Sequence, residues 1–370
     1  MSGVRKSFYI VLPIISVLVG ILLLEAGLAL FYPIPFSLEK NMYFEPDPYT
    51  GYRQKPLGRG HYPTGIDAIA NSRGHRDAEV DVPKPEGVFR ILMIGDSFTV
   101  GANVEQEDAY PQQLERLLND TSEARVEVVN SGVGGWSPFQ YAEYLNHYGA
   151  EFEPDLVVVG VFVGNDILVD RFSVGQTRTA VLGRRIPRQA ALNRLTALRV
   201  LAYENSHIFR ALMRIKPNDM NFGRADCEDF SEIFLAIQRE RVDVHLAQQT
   251  DERARLVDGN VAQLVRMQSI ARDMGAGFLV VVFPDENQIN PALQAQIIPA
   301  DKLDDYDFGM PQESLRAGLL LNGIASLDLL DVIRSDERCL FMNDTHWIPD
   351  GHLLVAEQIR DYLRASGLAP

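Results

Sequence analysis

Cysteine is nearly absent: Cys227 and Cys339 are the only 2 in 370 residues, and neither lies near a second Cys or a spaced His pair. A disulfide-rich scaffold and a cysteine-based zinc site are both excluded. The two side chains stand either as one disulfide or as two buried thiols. Basic residues are also in deficit, with 35 Lys and Arg against 50 Asp and Glu, for a net charge of −15. Such a field argues against nucleic acid or anionic headgroups as the main partner. Internal repeats and low-complexity tracts are missing, and one stretch alone is long and apolar enough to span a membrane. What remains is a globular composition, 46% hydrophobic and 23% charged, long enough for one large domain or two smaller ones.

The apolar stretch lies at the amino terminus. Ser7 to Leu24 carries no charge, and apart from Glu25 the apolar character runs on through Phe31 and Tyr32. As a helix, residues 7–32 reach roughly 39 Å, against a hydrocarbon core of about 30 Å. Arg5 and Lys6 precede it, and Tyr32 and Phe36 follow. The positive-inside rule then leaves residues 1–6 in the cytoplasm and the rest of the chain outside, periplasmic in a Gram-negative cell. A cleaved signal peptide competes, with Gly27-Leu28-Ala29 as its small-x-small site. Leu30-Phe31-Tyr32 continues the apolar run past that site, which favours a retained single-pass anchor. Glu25 falls near the outer end, within reach of the interface.

Residues 37–88 are rich in Pro, Gly and Tyr with little periodicity, and read as an extended juxtamembrane arm. The aromatics Tyr43, Phe44, Tyr49, Tyr52 and Tyr62, with Asn71 to Asp77, mark that arm as packed rather than disordered. From Phe89 strands and helices alternate. Strands are predicted at Phe89 to Ile94, Val126 to Val129, Leu156 to Phe162, Phe278 to Phe283 and Ile324 to Leu327. Helices are predicted around Pro111, from Ser137-Pro138, from Asp251 and after Pro349-Asp350. Residues 168 to about 250 break the alternation with scattered Arg and no comparable strand, the mark of an inserted, mainly helical subdomain. Alternation of strand and helix implies a parallel, doubly wound sheet.

Four segments fall where the predicted strands end or a helix begins. In such sheets ligands bind beyond the carboxyl ends of the strands. Gly95-Asp96-Ser97 ends the first strand and makes Ser97 a nucleophile candidate, with Asp96 tying down the turn. Asn130-Ser131-Gly132-Val133-Gly134-Gly135-Trp136-Ser137 is a glycine-rich turn whose backbone amides can approach a ligand. A dinucleotide fingerprint competes there but is disfavoured, because Ser137 takes the place of its last Gly and the segment follows the second strand. Val163-Gly164-Asn165-Asp166 places the Asn165 amide at the rim of the most apolar strand, where it can donate to a developing oxyanion. In Asn343 to His352, His346 lies in a loop and is the candidate base, with Asp344 orienting it. His352 falls inside the following helix, and Asp350 reads as that helix's N-cap.

In order and spacing the four segments resemble the blocks of the SGNH, or GDSL-type, hydrolase superfamily, over about residues 89–366. The resemblance implies a flavodoxin-like three-layer α/β/α sandwich with no cofactor or metal. It makes Ser97 the nucleophile, His346 the base, and the Ser97 amide, Gly135 and Asn165 the oxyanion-hole donors. Asn71 to Asp77, then Gly95 to Gly101 with Tyr110-Pro111, resemble membrane-anchored bacterial members associated with cell-envelope polysaccharides. Two departures stand out. Many members carry the acid three residues before the His, where this chain has Asn343; Asp344-Thr345-His346-Trp347 is similar to the form in alginate O-acetyltransferase-like proteins. Val163 replaces the first Gly of the third block.

The expected chemistry is ester cleavage, or acyl transfer by the same triad, on an O-acylated carbohydrate or other small ester, with polysaccharide-biosynthesis proteins as partners. A non-catalytic, glycan-binding envelope protein is the competing class, supported by the long arm and insertion. The insertion leaves the sheet directly after Asn165-Asp166, so it is expected at the mouth of the site. Its arginines Arg171, Arg178, Arg184, Arg185 and Arg188 either meet an acidic polysaccharide, Arg184 and Arg185 foremost, or are solvated surface charge.

Overall fold

A run such as Leu156 to Phe162 offers water no polar side chain, so it needs cover on both faces. The computed structural model describes residues 2–31, 43–62, 64–120, 124–181, 184–187, 202, 206–209 and 226–370, and it supplies that cover. Its strands are β1 Phe44–Asp47, β2 Gly51–Gln54, β3 Arg59–His61, β4 Asp67–Ile69, β5 Val88–Ile94 and β6 Arg125–Asn130. They continue with β7 Leu156–Phe162, β8 Arg178–Val181, β9 Arg184–Pro187, β10 Gly277–Phe283 and β11 Ala325–Asp328. Five of them form one parallel sheet in the order β11-β10-β7-β5-β6. This is the flavodoxin-like winding, whose strand order reverses between β5 and β7 and opens a crevice beyond their carboxyl ends. Ser97 follows β5 and Asn165 follows β7.

Alternation along the strands divides the core. Leu92, Ile94, Val157 and Val159 face one layer, where Tyr141, Leu145, Leu264 and Leu315 pack on them from helices Pro138–Tyr148, Asp251–Asp273 and Met310–Leu321. Ile91, Met93, Val158 and Val281 face the other, against Leu114 and Leu118 of helix Tyr110–Asn119 and Val355 and Ile359 of helix Pro349–Ser366. Each such side chain contributes about 1.5–3 kcal/mol by leaving water.

The arm is two antiparallel hairpins, β1–β2 and β3–β4, laid on the sheet domain. Its Arg76 is fully buried and donates to the carbonyls of Val100 (3.2 Å), Gly101 (2.7 Å) and Val104 (2.7 Å), so it shapes the loop that follows Ser97. At the other end, helix Ser2–Phe31 includes Val11–Phe31 at mean hydropathy 2.6, none of it buried. Length and composition suffice to cross a membrane, and a signal sequence would meet the same test. Glu25 does not stand alone: its carboxylate accepts from Ser206 Oγ (2.8 Å), Ile208 N (3.0 Å) and His207 N, all in the insertion.

Three expectations need correction or completion. The insertion opens with a β-hairpin, β8–β9, before its helix Glu232–Arg241. These strands are too short and too rich in Arg to stand out in the sequence. They form because β8 lies against the arm, with Ala180 buried beside Tyr52, so tertiary packing overrides local pattern. Asp350 is not an N-cap: Ile348 caps the last helix, Pro349 fixes its first position, and Asp350 sits in the first turn 3.7 Å from Arg338. Cys227 and Cys339 are joined as a disulfide, Cα–Cα 5.2 Å, which ties the insertion to the loop ahead of Asp344.

Candidate active site

The strand-to-loop junction after β5 is built so that Asp96 points inward and Ser97 outward. Asp96 is fully buried; one carboxylate oxygen accepts from Phe98 N (2.9 Å) and the other from Asn165 Nδ2 (3.0 Å). It therefore links the first and third segments. A Cβ at Gly95 would overlap Thr99 Oγ1, and one at Gly132 would overlap the backbone of Thr99 and Val100, so both glycines permit close approach of backbone. A Cβ built on Gly134 would lie 3.8 Å from the Ser97 Cβ, which brings the glycine-rich turn to the nucleophile candidate. Asn165 lies in the short helical turn Val163–Asp166, anchored from below by Asp166, whose Oδ2 accepts from Phe162 N and Tyr141 OH, both 3.0 Å. Val163 is buried in the core, so its replacement of a glycine leaves Asn165 in place.

His346 and Asp344 form a pair. Asp344 Oδ2 accepts from His346 Nδ1 (2.9 Å), and its Oδ1 accepts from the His346 backbone N–H (3.1 Å). That leaves Nε2 for the proton of a nucleophile. Asn103, in the left-handed region at φ 68°, donates its amide to the same Asp344 oxygen. Sequence reading missed it; the one available signal is an Asn in the tight Gly101-Ala102-Asn103 loop just after the nucleophile. Phe98 packs on the His346 ring at 5.2 Å and on Trp347 at 4.6 Å, so the neighbour of Ser97 holds the histidine loop. Burial pulls the His346 imidazolium down, but the charge and hydrogen bond of Asp344, with Asp96 behind, outweigh it and hold its pKa above the ordinary value. Asp344 pays desolvation too, yet His346 and Asn103 bring it below the usual carboxylate range. Burial raises Asp96 and, more strongly, Asp166.

His352 is separate from this pair. It is buried, its Nδ1 accepts from Tyr110 N at 3.3 Å, its ring lies 5.4 Å from Trp347, and desolvation lowers its pKa to about 3. It is a neutral core residue.

Ser97, Gly135, Asn165, Asp344 and His346 line one cavity of about 840 Å³. Tyr43, Phe44 and Trp136 give it an aromatic side, and Arg171, Arg178, Arg185 and Arg241 also reach it. Among the described residues none of these arginines pairs with a carboxylate within 4.0 Å. Arg241, also missed in the sequence, donates to Thr345 Oγ1 at 3.1 Å. Arg185 donates to the Gly134 carbonyl. The Arg184 side chain and the whole of Arg188 lie outside the described residues. No group of three or more His, Cys, Asp or Glu among the described residues is arranged to hold a metal.

No curated protein matches the chain. Solved structures to which the chain is similar include TesA, 14% identical, covering 75% of this chain and 98% of that one at TM-score 0.39. A lipase/acylhydrolase from Enterococcus faecalis is 12% identical, with 75% and 96% covered at TM-score 0.39. The acetyl xylan esterase AlAXEase is 12% identical, with 74% and 100% covered at TM-score 0.38. The family model of GDSL-like lipases and acylhydrolases matches residues 93–287, more than half of the chain, and takes in Ser97, the glycine-rich turn and Asn165. On that match the chain belongs to the GDSL-like lipase/acylhydrolase family.

Proposed function

We propose that the protein is a serine-dependent ester hydrolase that removes O-acyl groups, foremost O-acetyl, from a cell-envelope or extracellular glycan. The observation that carries this reading is the meeting of Ser97, the His346–Asp344 pair and the donors of Gly135 and Asn165 in one cavity. In the proposed cycle Ser97 Oγ attacks the ester carbonyl while His346 Nε2 takes its proton. The tetrahedral oxyanion is met by the amides of Ser97 and Gly135 and by Asn165 Nδ2, each such donor being worth about 3 kcal/mol. Collapse releases the sugar hydroxyl, which takes the proton from His346, and leaves an acyl-Ser97 ester. Water, deprotonated by the same histidine, then attacks the acyl-Ser97 ester, and collapse of that intermediate returns the proton from His346 to Ser97 Oγ and releases the carboxylic acid.

The glycan is favoured by a cavity roomy enough for a sugar, with aromatic faces for its rings and four arginines that suit an acidic polymer. A sugar hydroxyl in place of water would make the same triad an O-acyltransferase, the reading to which the Asp-Thr-His-Trp form lends weight. The amino-terminal helix is proposed as a retained anchor that holds the domain outside the membrane, near envelope glycan and the proteins that make it.

Full-length protein in detergent tests the proposal with an O-acetylated acidic polysaccharide, an O-acetylated neutral one and a small acetyl ester. The expected result is acetate release by the wild type, abolished in Ser97→Ala, with the acidic polysaccharide cleaved at least about tenfold more efficiently than the neutral one. Acetyl groups moved to a second glycan without acetate release would select the transferase. No turnover of any ester by the folded protein would overturn both.

A further inference from the structure

The arm and the insertion both reach one atom of the glycine-rich turn. Tyr52, in β2, donates its hydroxyl to the Gly134 carbonyl oxygen at 2.9 Å, and Arg185, in β9, donates its Nη1 to the same oxygen. We infer that these two residues fix the Gly134–Gly135 peptide and thereby aim the Gly135 N–H at the oxyanion, so that Tyr52 and Arg185 are positioning residues for the esterase reaction proposed above.

The peptide unit is planar and trans, so its C=O and N–H point in opposite directions. Holding the carbonyl from the arm and the insertion therefore fixes the amide on the opposite side of the peptide, in a turn that lines the cavity shared with Ser97. That amide makes no hydrogen bond among the described residues, whereas the neighbouring Trp136 N–H is used on Val133 O at 3.1 Å. Gly135 has φ +78°, and a Cβ there would sit 2.5 Å from Arg185 Nη1, so the close approach of the arginine depends on glycine at this position. The next carbonyl is held in the same manner, Gly135 O accepting from Arg171 Nη1 at 3.4 Å. Arg185 is itself braced between the rings of Phe44 (5.0 Å) and Tyr52 (5.8 Å), contacts that fix a cation without neutralising it.

A turn rich in glycine is conformationally loose, and an oxyanion donor is effective only when it needs no reorganisation as charge develops. Two donors on the carbonyl remove the freedom of the peptide to flip. The cationic one also polarises the peptide and strengthens the N–H at its other end. The family fold thus gains its donor geometry from two segments outside the parallel sheet. Loss of Arg185 is therefore expected to act on small neutral esters as well as on acidic glycans.

The test compares wild type, Tyr52→Phe, Arg185→Lys and Arg185→Gln in the full-length protein, with active sites counted by burst titration. Measured are kcat and KM on a small neutral acetyl ester and the rate of inactivation by a fluorophosphonate, which passes through a five-coordinate, trigonal-bipyramidal state with negative charge on the phosphoryl oxygen. Tyr52→Phe keeps the buried ring, and Arg185→Lys keeps the charge. The expected result is a fall in kcat of about 10–100-fold for Tyr52→Phe and Arg185→Gln, a smaller fall for Arg185→Lys, and KM within about twofold. Fluorophosphonate inactivation should slow in parallel with kcat. Wild-type kcat per active site in Tyr52→Phe and Arg185→Gln, or a loss confined to KM, would overturn the inference while leaving the esterase reading intact. A wild type inert to both reagents would instead sink the esterase reading itself.

Discussion

At the scale of single residues, His346 is governed by burial, which disfavours its protonated form, and by three charges. Asp344 and Asp96 favour its protonated form, Arg241 opposes it, and the net pKa stands above the ordinary value near 6.5. A general base works when neutral, so kcat/KM should rise with pH through a midpoint above that value. Removing the cation in Arg241→Gln lets the imidazolium persist to higher pH, and the rising limb should move alkaline. A limb that stays put or moves acid, in a pH–rate profile on a small ester, would show that Arg241 does not act on His346. The two Asp-x-His pairs make a second contrast. Asp344→Ala and His346→Ala should cut turnover by at least about 10³-fold. His352→Ala should keep most of kcat per folded molecule and lose about 2–4 kcal/mol of stability, because it empties a site between Tyr110 and Trp347. Ser97, Asn165, Asp344 and His346 were legible in the sequence because their side chains carry chemistry at the ends of strongly patterned elements. Asn103 and Arg241 were not, because their relation to Asp344 and His346 exists only after distant segments have packed.

Among the elements, the five strands of the parallel sheet could be read to within a residue or two; β5, β7 and β10 are apolar runs buried along nearly their whole length and have few alternatives, whereas β11, Ala325–Asp328, is only half-buried. The hairpin β8–β9 could not, because Arg178, Arg184 and Arg185 mask the pattern and the stabilising partner is the arm, more than a hundred residues earlier in the chain. The histidine loop is likewise held by an element read only as an insertion: Asn343 Oδ1 accepts from Ser231 N at 3.3 Å, Arg241 reaches Thr345, and Cys227–Cys339 closes the same region across a separation of 112 residues. A Cys227→Ser, Cys339→Ser double variant should therefore lose about 2–4 kcal/mol in denaturant unfolding. Turnover should fall with it, since the loop that carries Asp344 and His346 is freed. Unchanged stability together with unchanged kcat would show that the disulfide does not hold the loop.

For the whole molecule, a net charge of −15 stands against a cavity lined by four arginines, the contrast that favours the proposed acidic glycan. The flavodoxin-like winding places Ser97 and Asn165 on either side of the point where strand order reverses, and the arm and insertion close over that crevice. The central claim is that this crevice houses one activated serine. Its most direct test is labelling of the full-length protein with a fluorophosphonate, followed by peptide mapping. A single adduct on Ser97, absent from Ser97→Ala and slowed at least about 10³-fold in His346→Ala, is the expected result. A folded protein that takes no label, or one labelled equally well without Ser97, would contradict it.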